Sequence, residues 1–262
     1  MWGFGLRKWY LDLASPAGDF AVCYRAELSL ASLRVAAEAI VISPAHGQPT
    51  VTARLAAGGS PDATNEGLSL DLAAVGARAR CAGGVTPVAR TLLDGPAGSI
   101  RWTPLALNGA AIVQAGGIEY RGLGYAELIE MSLPPWQLPF TTLLWGRASF
   151  NDYGCAWIQW SGGQTLSLAV STAGPDHTPS ISADRVDLED GPVHFRAGRV
   201  VRDETLGAGL LGMIPLVARA VPPAFLRTHE VRSLRPAFRG ASPSSTGWAV
   251  VETVTFGRDE PR

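Results

Sequence analysis

Lysine is almost missing from this chain: Lys8 is the single one in 262 residues, and arginine carries the remaining basic charge. With abundant alanine, this bias reads as a coding preference and not as a binding surface. Charged residues make up only 17% of the sequence and the formal net charge is -1, so no basic stripe is available to neutralise phosphates. A nucleic-acid partner is excluded on that ground. Cysteine is scarce as well. Cys23, Cys81 and Cys155 are odd in number, far apart and embedded in apolar sequence, which argues against a disulfide framework and for buried thiols in a reducing compartment. His46, His177, His194 and His229 are scattered without metal-ligand spacing, so no metal or other cofactor is expected. G-x-S-x-G and Walker A patterns are also missing.

Long hydrophobic runs are rare too. The N-terminal MWGFGLRKWYLDLA carries its basic residues after its short apolar stretch, the reverse of a signal peptide, so cytoplasmic residence is expected. Leu206–Leu226 has the length of a bilayer span, but Arg219, Pro215, Pro222 and Pro223 interrupt it. It reads as a broken helix near 206–220 that covers a barrel, with peripheral membrane contact as the secondary expectation. Gly207, Gly209 and Gly212 within it match G-x-G-x-x-G, yet the βαβ unit that a dinucleotide site requires is absent.

What remains is 47% hydrophobic and reads as short strands bounded by Gly, Pro, Asp and Asn. Ser15–Asp19 and Asp94–Gly98 are the strongest hairpin turns. Such spacing predicts an all-β antiparallel fold. The glycine-rich stretch Gly116–Gly124 divides it into two lobes of barrel size, 1–121 and 122–262.

Residues 122–160 place charge inside apolar strand sequence, where charge is costly unless paired or chemically employed. Tyr125, Glu127, Ile129 and Met131 alternate onto one strand face. Arg147 shares a face with Trp145 on the next predicted strand, so a Glu127–Arg147 pair is expected, either fixing strand register or serving a site. Asp152 and Tyr153 follow in a turn. Asp152 is either a turn cap or a protonated general acid at a barrel mouth, with Tyr153 positioning or relaying the proton. Glu252 shares a face with Trp248 in the last strand and is a third carboxyl candidate. Trp136, Trp145, Trp157 and Trp248, with Tyr125, are the expected walls of a pocket, since indole faces stabilise cations. Pro134, Pro135, Trp136 and Pro139 form a stiff loop suited to a lid.

KWYLD (Lys8–Asp12), IRW (Ile100–Trp102), GLGYAE (Gly122–Glu127), LPF then LLWGR (Leu138–Phe140, Leu143–Arg147) and the closing WAVVETVTFG resemble the AttH/CrtC family. That family includes carotenoid 1,2-hydratases and lipocalin-like cyclases. The resemblance implies two lipocalin-like β-barrels packed together around a hydrophobic pocket, and alkene chemistry without metal or redox cofactor. The expected function is a hydratase or cyclase acting on a small polyene, terpenoid or polyketide-like substrate. The alternatives are a carrier of lipids or pigments, and an interaction module using the Pro–Trp loop and Leu206–Leu226.

Overall fold

The structure is a computed structural model describing residues 3–57, 61–83, 85, 87–240 and 245–257. The first lobe runs through β1 (Phe4–Ala14), β2 (Phe20–Leu30), β3 (Leu33–Ser43), β4 (Thr50–Ala56), β5 (Asp62–Thr64), β6 (Gly67–Leu72), β7 (Ala77–Ala82), β8 (Arg90–Gly95), β9 (Gly98–Ala115) and β10 (Ile118–Met131). The second contains β11 (Thr142–Ser149), β12 (Gly154–Ser161), β13 (Leu166–Ser171), β14 (Ser180–Ile181), β15 (Arg185–Asp187), β16 (Val193–Phe195) and β17 (Arg199–Thr205). Two short helices follow, α1 (Pro215–Ala220) and α2 (Pro223–Leu226), then β18 (His229–Arg239) and β19 (Thr246–Thr255).

The strands form two antiparallel sheets, one curled into a nearly closed barrel, giving an all-β lipocalin-like fold. The first sheet is ordered β4-β3-β2-β1-β10-β9-β7-β6-β5, with β8 on β9; the second is β13-β12-β11-β19-β18-β16-β15-β14, with β17 on β18. Tight hairpins drive this meander. At Ser15–Asp19 the Ser15 amide donates to the Asp19 carbonyl at 2.8 Å, and Gly18 supplies the φ of +89° that the turn needs. Asp94–Gly98 likewise closes β8 onto β9.

β10 pairs with β1 and β9, so the first sheet continues through Met131, past the division expected at Arg121. Glycine enrichment there marks close strand approach within one sheet, not a linker: a Cβ on Gly122 or Gly124 would collide with the β1 backbone. The helical segment is also shorter than expected. Leu206–Gly212 is a series of turns, and proline at the first positions of α1 and α2 confines helix to Pro215–Ala220 and Pro223–Leu226. No helix among the described residues is long and apolar enough to cross a membrane.

Every residue of β1 from Trp9 to Ala14 is buried, because both faces of the first sheet are covered. Trp9, Leu11 and Leu13 pack with Leu68, Leu70 and Cys81 on one face. Tyr10 and Ala14 belong to a second cluster that includes Trp102, Tyr125, Trp145 and Val250, drawn from both sheets. A third, with Phe150, Trp157, Val193 and Phe195, fills the far face of the second sheet. The three cysteines are buried and free, with thiols pushed up to about 12, chiefly by burial. At Gly154 the second lobe comes so close to Asn108 of β9 that a Cβ would overlap the asparagine side chain.

Candidate functional site between the two sheets

Strand register builds the site. On the first sheet Tyr10 lies directly opposite Tyr24 of β2 and Glu127 of β10. On the second, Trp145 lies opposite Ile158 of β12 and Glu252 of β19, and Glu252 lies opposite Arg232 of β18. Directly opposed residues in antiparallel strands share a face, so each sheet presents one row of polar and aromatic groups. The two rows face each other. Arg232 hydrogen-bonds the Tyr24 hydroxyl across the gap, and its guanidinium lies 5.6 Å from the Tyr10 ring centroid.

Two adjoining cavities occupy this gap. The inner one, about 170 Å³, is lined by Glu127, Ile129, Trp145, Ile158 and Trp160 among others. The outer one, about 300 Å³, is closed by Trp136 and by Leu210, Ile214, Val217 and Phe225 of the helical segment. Lys8, Pro135, Arg232 and Glu252 border both, which makes them two compartments of one apolar chamber. Trp136 rests edge-on against Phe225 at 5.9 Å, so the Pro–Trp loop and α2 form a common cover. Grooves elsewhere on the first lobe are larger, about 450 and 720 Å³, but lie open and are lined by partly exposed pairs such as Arg78–Asp71 and Arg7–Glu130. They offer little enclosure to an apolar ligand.

Glu127 is buried at the inner wall. Its Oε2 accepts from Trp102 Nε1 at 2.6 Å and from the Tyr125 hydroxyl at 2.7 Å; Oε1 carries neither bond. Burial raises its pKa, against the opposing pull of Lys8 and of these two donors. Burial and the Glu127 carboxyl in turn hold the Tyr125 phenol well above its ordinary value. Glu252 is bound to Arg232, whose Nε donates at 2.8 Å. Glu230 adds a second carboxylate to Arg232 at 3.1 Å and meets Arg202 at 3.4 Å. Burial and the charge of Glu252 raise the Glu230 pKa.

The expected site residues divide. Tyr125, Glu127, Trp136, Trp145 and Glu252 come together at the chamber or in its wall. The expected Glu127–Arg147 pair does not form, because β10 and β11 belong to different sheets. Arg147 is instead fully buried against Asp12 at 2.5 Å, and Tyr10 donates to the other Asp12 oxygen at 2.6 Å. Asp152 is exposed in the turn between β11 and β12. Tyr153 points away from the chamber into the third core cluster and donates to Asp190 at 3.0 Å. Trp157 lies in the same cluster, stacked on Phe195, because β12 alternation that sends Ile158 and Trp160 inward sends Trp157 outward. Trp248 is half-buried beside Gly18 and borders neither cavity.

Lys8, Tyr10, Tyr24, Trp102, Glu230 and Arg232 were not expected at a site. The alternation Lys8-Tyr10-Asp12 in KWYLD and Glu230-Arg232 in HEVRSLR was the available signal: charged groups two apart on a strand share a buried face. Among the described residues no group of three or more His, Cys, Asp or Glu is placed to hold a metal.

No family model and no curated protein sequence matches the chain. Solved structures do. A crystal structure assigned to AttH, from Nitrosomonas europaea, superposes over 97% of this chain and 94% of its own at 12% identity, with a TM-score of 0.55. CghA with Sch210972 superposes over 98% and 90% at 11% identity, also with a TM-score of 0.55. Kievitone hydratase from Nectria haematococca aligns over 96% and 89% at 9% identity, with a TM-score of 0.47. At such identities the likeness is one of fold, and this chain has the fold of the AttH-like proteins that its own short motifs resemble.

Proposed function

We propose that the chamber takes up a small apolar, unsaturated compound and that Glu127 acts on it as a general acid, in a cofactor-independent hydration or cyclisation. The observation that carries this is the Glu127 carboxyl itself, buried in an apolar wall with one oxygen anchored by two donors and the other free of them. A carboxyl with a raised pKa is protonated at higher pH than usual, the state that general-acid catalysis requires. In the reaction, the Glu127 proton adds to one carbon of a polarised double bond. Water, in a hydration, or another part of the chain, in a cyclisation, bonds to the other carbon. The proton lost in that second step returns to the carboxylate, so nothing is oxidised or reduced.

Tyr125 and Trp102 fix the carboxyl, and Trp145 and Trp160 supply aromatic walls for developing positive charge. Entry is past the cover formed by Trp136, α1 and α2. Its outward Met213 and Leu216, 39% and 46% exposed, provide an apolar contact through which the protein would collect its substrate from a membrane surface. Asp152, exposed and remote from both cavities, has no part in this chemistry.

The test is mass spectrometry of organic extracts after incubating the protein with polyene, terpenoid and polyketide-like compounds. A hydrated or cyclised product that is lost in Glu127→Gln supports the assignment. A compound that binds and returns unchanged from the wild type makes the protein a carrier. Full turnover by Glu127→Gln removes the carboxyl from the mechanism.

A further inference from the structure

We propose that the inner cavity contains an oxygen subsite, formed by the Trp145 indole N–H and the Lys8 ammonium, which receives the neutral carbonyl of a conjugated and otherwise apolar substrate. This rests on the chamber being the substrate site, and it narrows the substrate from any alkene to an alkene conjugated to a carbonyl.

The first observation is an unused donor. Trp145 is only 6% exposed, lines the inner cavity, and its Nε1 has no hydrogen-bond partner among the described residues. A sealed N–H without an acceptor is unfavourable and uncommon, and such groups call for an explanation. Trp102, on the facing sheet, shows the ordinary outcome: its N–H is bound to Glu127 and Tyr125. Trp157 also leaves its N–H unpaired, but it lies in the closed third cluster and meets neither cavity.

The second observation is an unpaired cation. Lys8 borders both cavities, and its ammonium makes no hydrogen bond or salt bridge with a described side chain, although Glu127 and Glu230 lie within its electrostatic reach; its Nζ lies 6.0 and 5.8 Å from the Tyr10 and Tyr24 ring centroids. Tyr10 packs on Trp145 at 5.3 Å, and Trp145 on Tyr125 at 5.5 Å, so one contiguous aromatic surface links Lys8, Trp145 and the Glu127 anchor.

Arg232 is taken up by Glu252, Glu230 and Tyr24, so the donors left free at the inner cavity are the Trp145 N–H and the Lys8 ammonium. A ligand that meets both brings lone pairs. Glu230 and Glu252 beside Lys8 disfavour a carboxylate, which leaves a neutral carbonyl. The chemistry agrees. A carboxylic acid donates to oxygen lone pairs far more readily than to an isolated alkene carbon. Hydrogen bonds on a carbonyl draw electron density from a conjugated double bond and activate it toward addition or cyclisation.

Two probes test this: 4-(dimethylamino)cinnamaldehyde, whose absorption moves to the red when its carbonyl is hydrogen-bonded, and the hydrocarbon diphenylhexatriene, whose fluorescence rises in apolar cavities. The wild type is expected to bind both and to red-shift the aldehyde. Trp145→Phe and Lys8→Met should each weaken aldehyde binding by about tenfold, as expected for one lost hydrogen bond of favourable strength, and reduce the red shift. Hydrocarbon binding should change less than aldehyde binding in both variants, which also shows that the chamber is intact. Hydrocarbon binding with an aldehyde that binds equally to all three proteins, red shift unchanged, overturns the oxygen subsite and leaves the chamber standing. Failure of the wild type to bind either probe overturns the chamber as a ligand site, and the subsite with it.

Discussion

Replacing Arg147 by Met isolates one of the polar contacts that join the two sheets. Both members of the Asp12–Arg147 pair are 0% exposed; Asp12 comes from β1 and Arg147 from β11. The Arg147 guanidinium also donates to Ser149 at 3.1 Å, while Tyr10 holds the second Asp12 oxygen. Removing the arginine leaves Asp12 buried with one phenol for a partner, and breaking a buried pair in this way costs roughly 3–5 kcal/mol. Domains of this kind have about 5–15 kcal/mol in total, so a large fraction of the stability would go. At about 2–4 °C per kcal/mol for a larger domain, the midpoint should fall by about 6–20 °C. Asp12→Leu should cost a similar amount, whereas the double variant Asp12→Leu with Arg147→Met should lie closer to the wild type than either, because apolar side chains replace both charges together. Urea titrations of the four proteins at equal slope supply the cycle. If Arg147→Met costs less than about 1 kcal/mol, or if the two single effects simply add, the pair is not a buried junction between the lobes and this placement of Arg147 fails.

Glu127→Gln should lower turnover of an identified substrate by about a hundredfold or more and abolish the fall in rate as pH rises through the raised Glu127 pKa, read from kcat/KM against pH. The same residue affects stability. A folded pKa above the unfolded one makes a contribution that is complete below the unfolded value, about 4.3, and is lost as pH rises through the folded one; the urea midpoint of Glu127→Gln should therefore gain on the wild type as pH rises above about 4.3. Asp152→Asn should change stability by less than about 0.5 kcal/mol and leave the rate unchanged, since the side chain is exposed. Gly154→Val should destabilise by about 1–3 kcal/mol in thermal melts, because its Cβ overlaps Asn108 where the lobes meet. Phe225→Ala should loosen the cover over the outer cavity and speed exchange of bound diphenylhexatriene in stopped-flow displacement; unchanged exchange would mean that the cover does not gate entry.

Alternation along a strand is a local property, and what depended on it was legible. Tyr125 and Glu127 fall on one buried face. Turn chemistry at Ser15–Asp19 and Asp94–Gly98 was legible for the same reason. Pairing between strands far apart in sequence was not. Arg147 was expected to meet Glu127 because their strands are consecutive, yet β11 pairs with β12 and β19 while β10 pairs with β1 and β9. Asp12, which takes Arg147, lies 135 residues away in sequence. Trp157, expected as a pocket wall, lies on the opposite face of β12 from Ile158 and Trp160, because an indole in a strand marks burial without saying on which side. For Asp152 the sequence leaves a turn residue and an acid at a barrel mouth both open, because a turn carboxyl is equally at home in water; the structure leaves it exposed in the turn.

The same register explains how one chamber holds several carboxylates and still presents an acid. Arg202 and Arg232 contact Glu204, Glu230 and Glu252 in a joined set, and Lys8 borders that set from the opposite sheet. Within that set Arg202 and Arg232 offset the carboxylates, whereas Glu127 has Trp102 and Tyr125, both neutral, as its hydrogen-bond partners among the described residues, and Lys8 as the cation that favours its charge. Burial in an apolar wall disfavours the ionised form of Glu127 and outweighs the pull of Lys8 and of the two donors, which raises its pKa. Neutralising Lys8 as Lys8→Met removes one cation from that balance and should raise the Glu127 pKa further. The alkaline limb of the rate profile would then move to higher pH, and a limb that stays in place or moves to lower pH would show that Lys8 does not act on Glu127 through its charge.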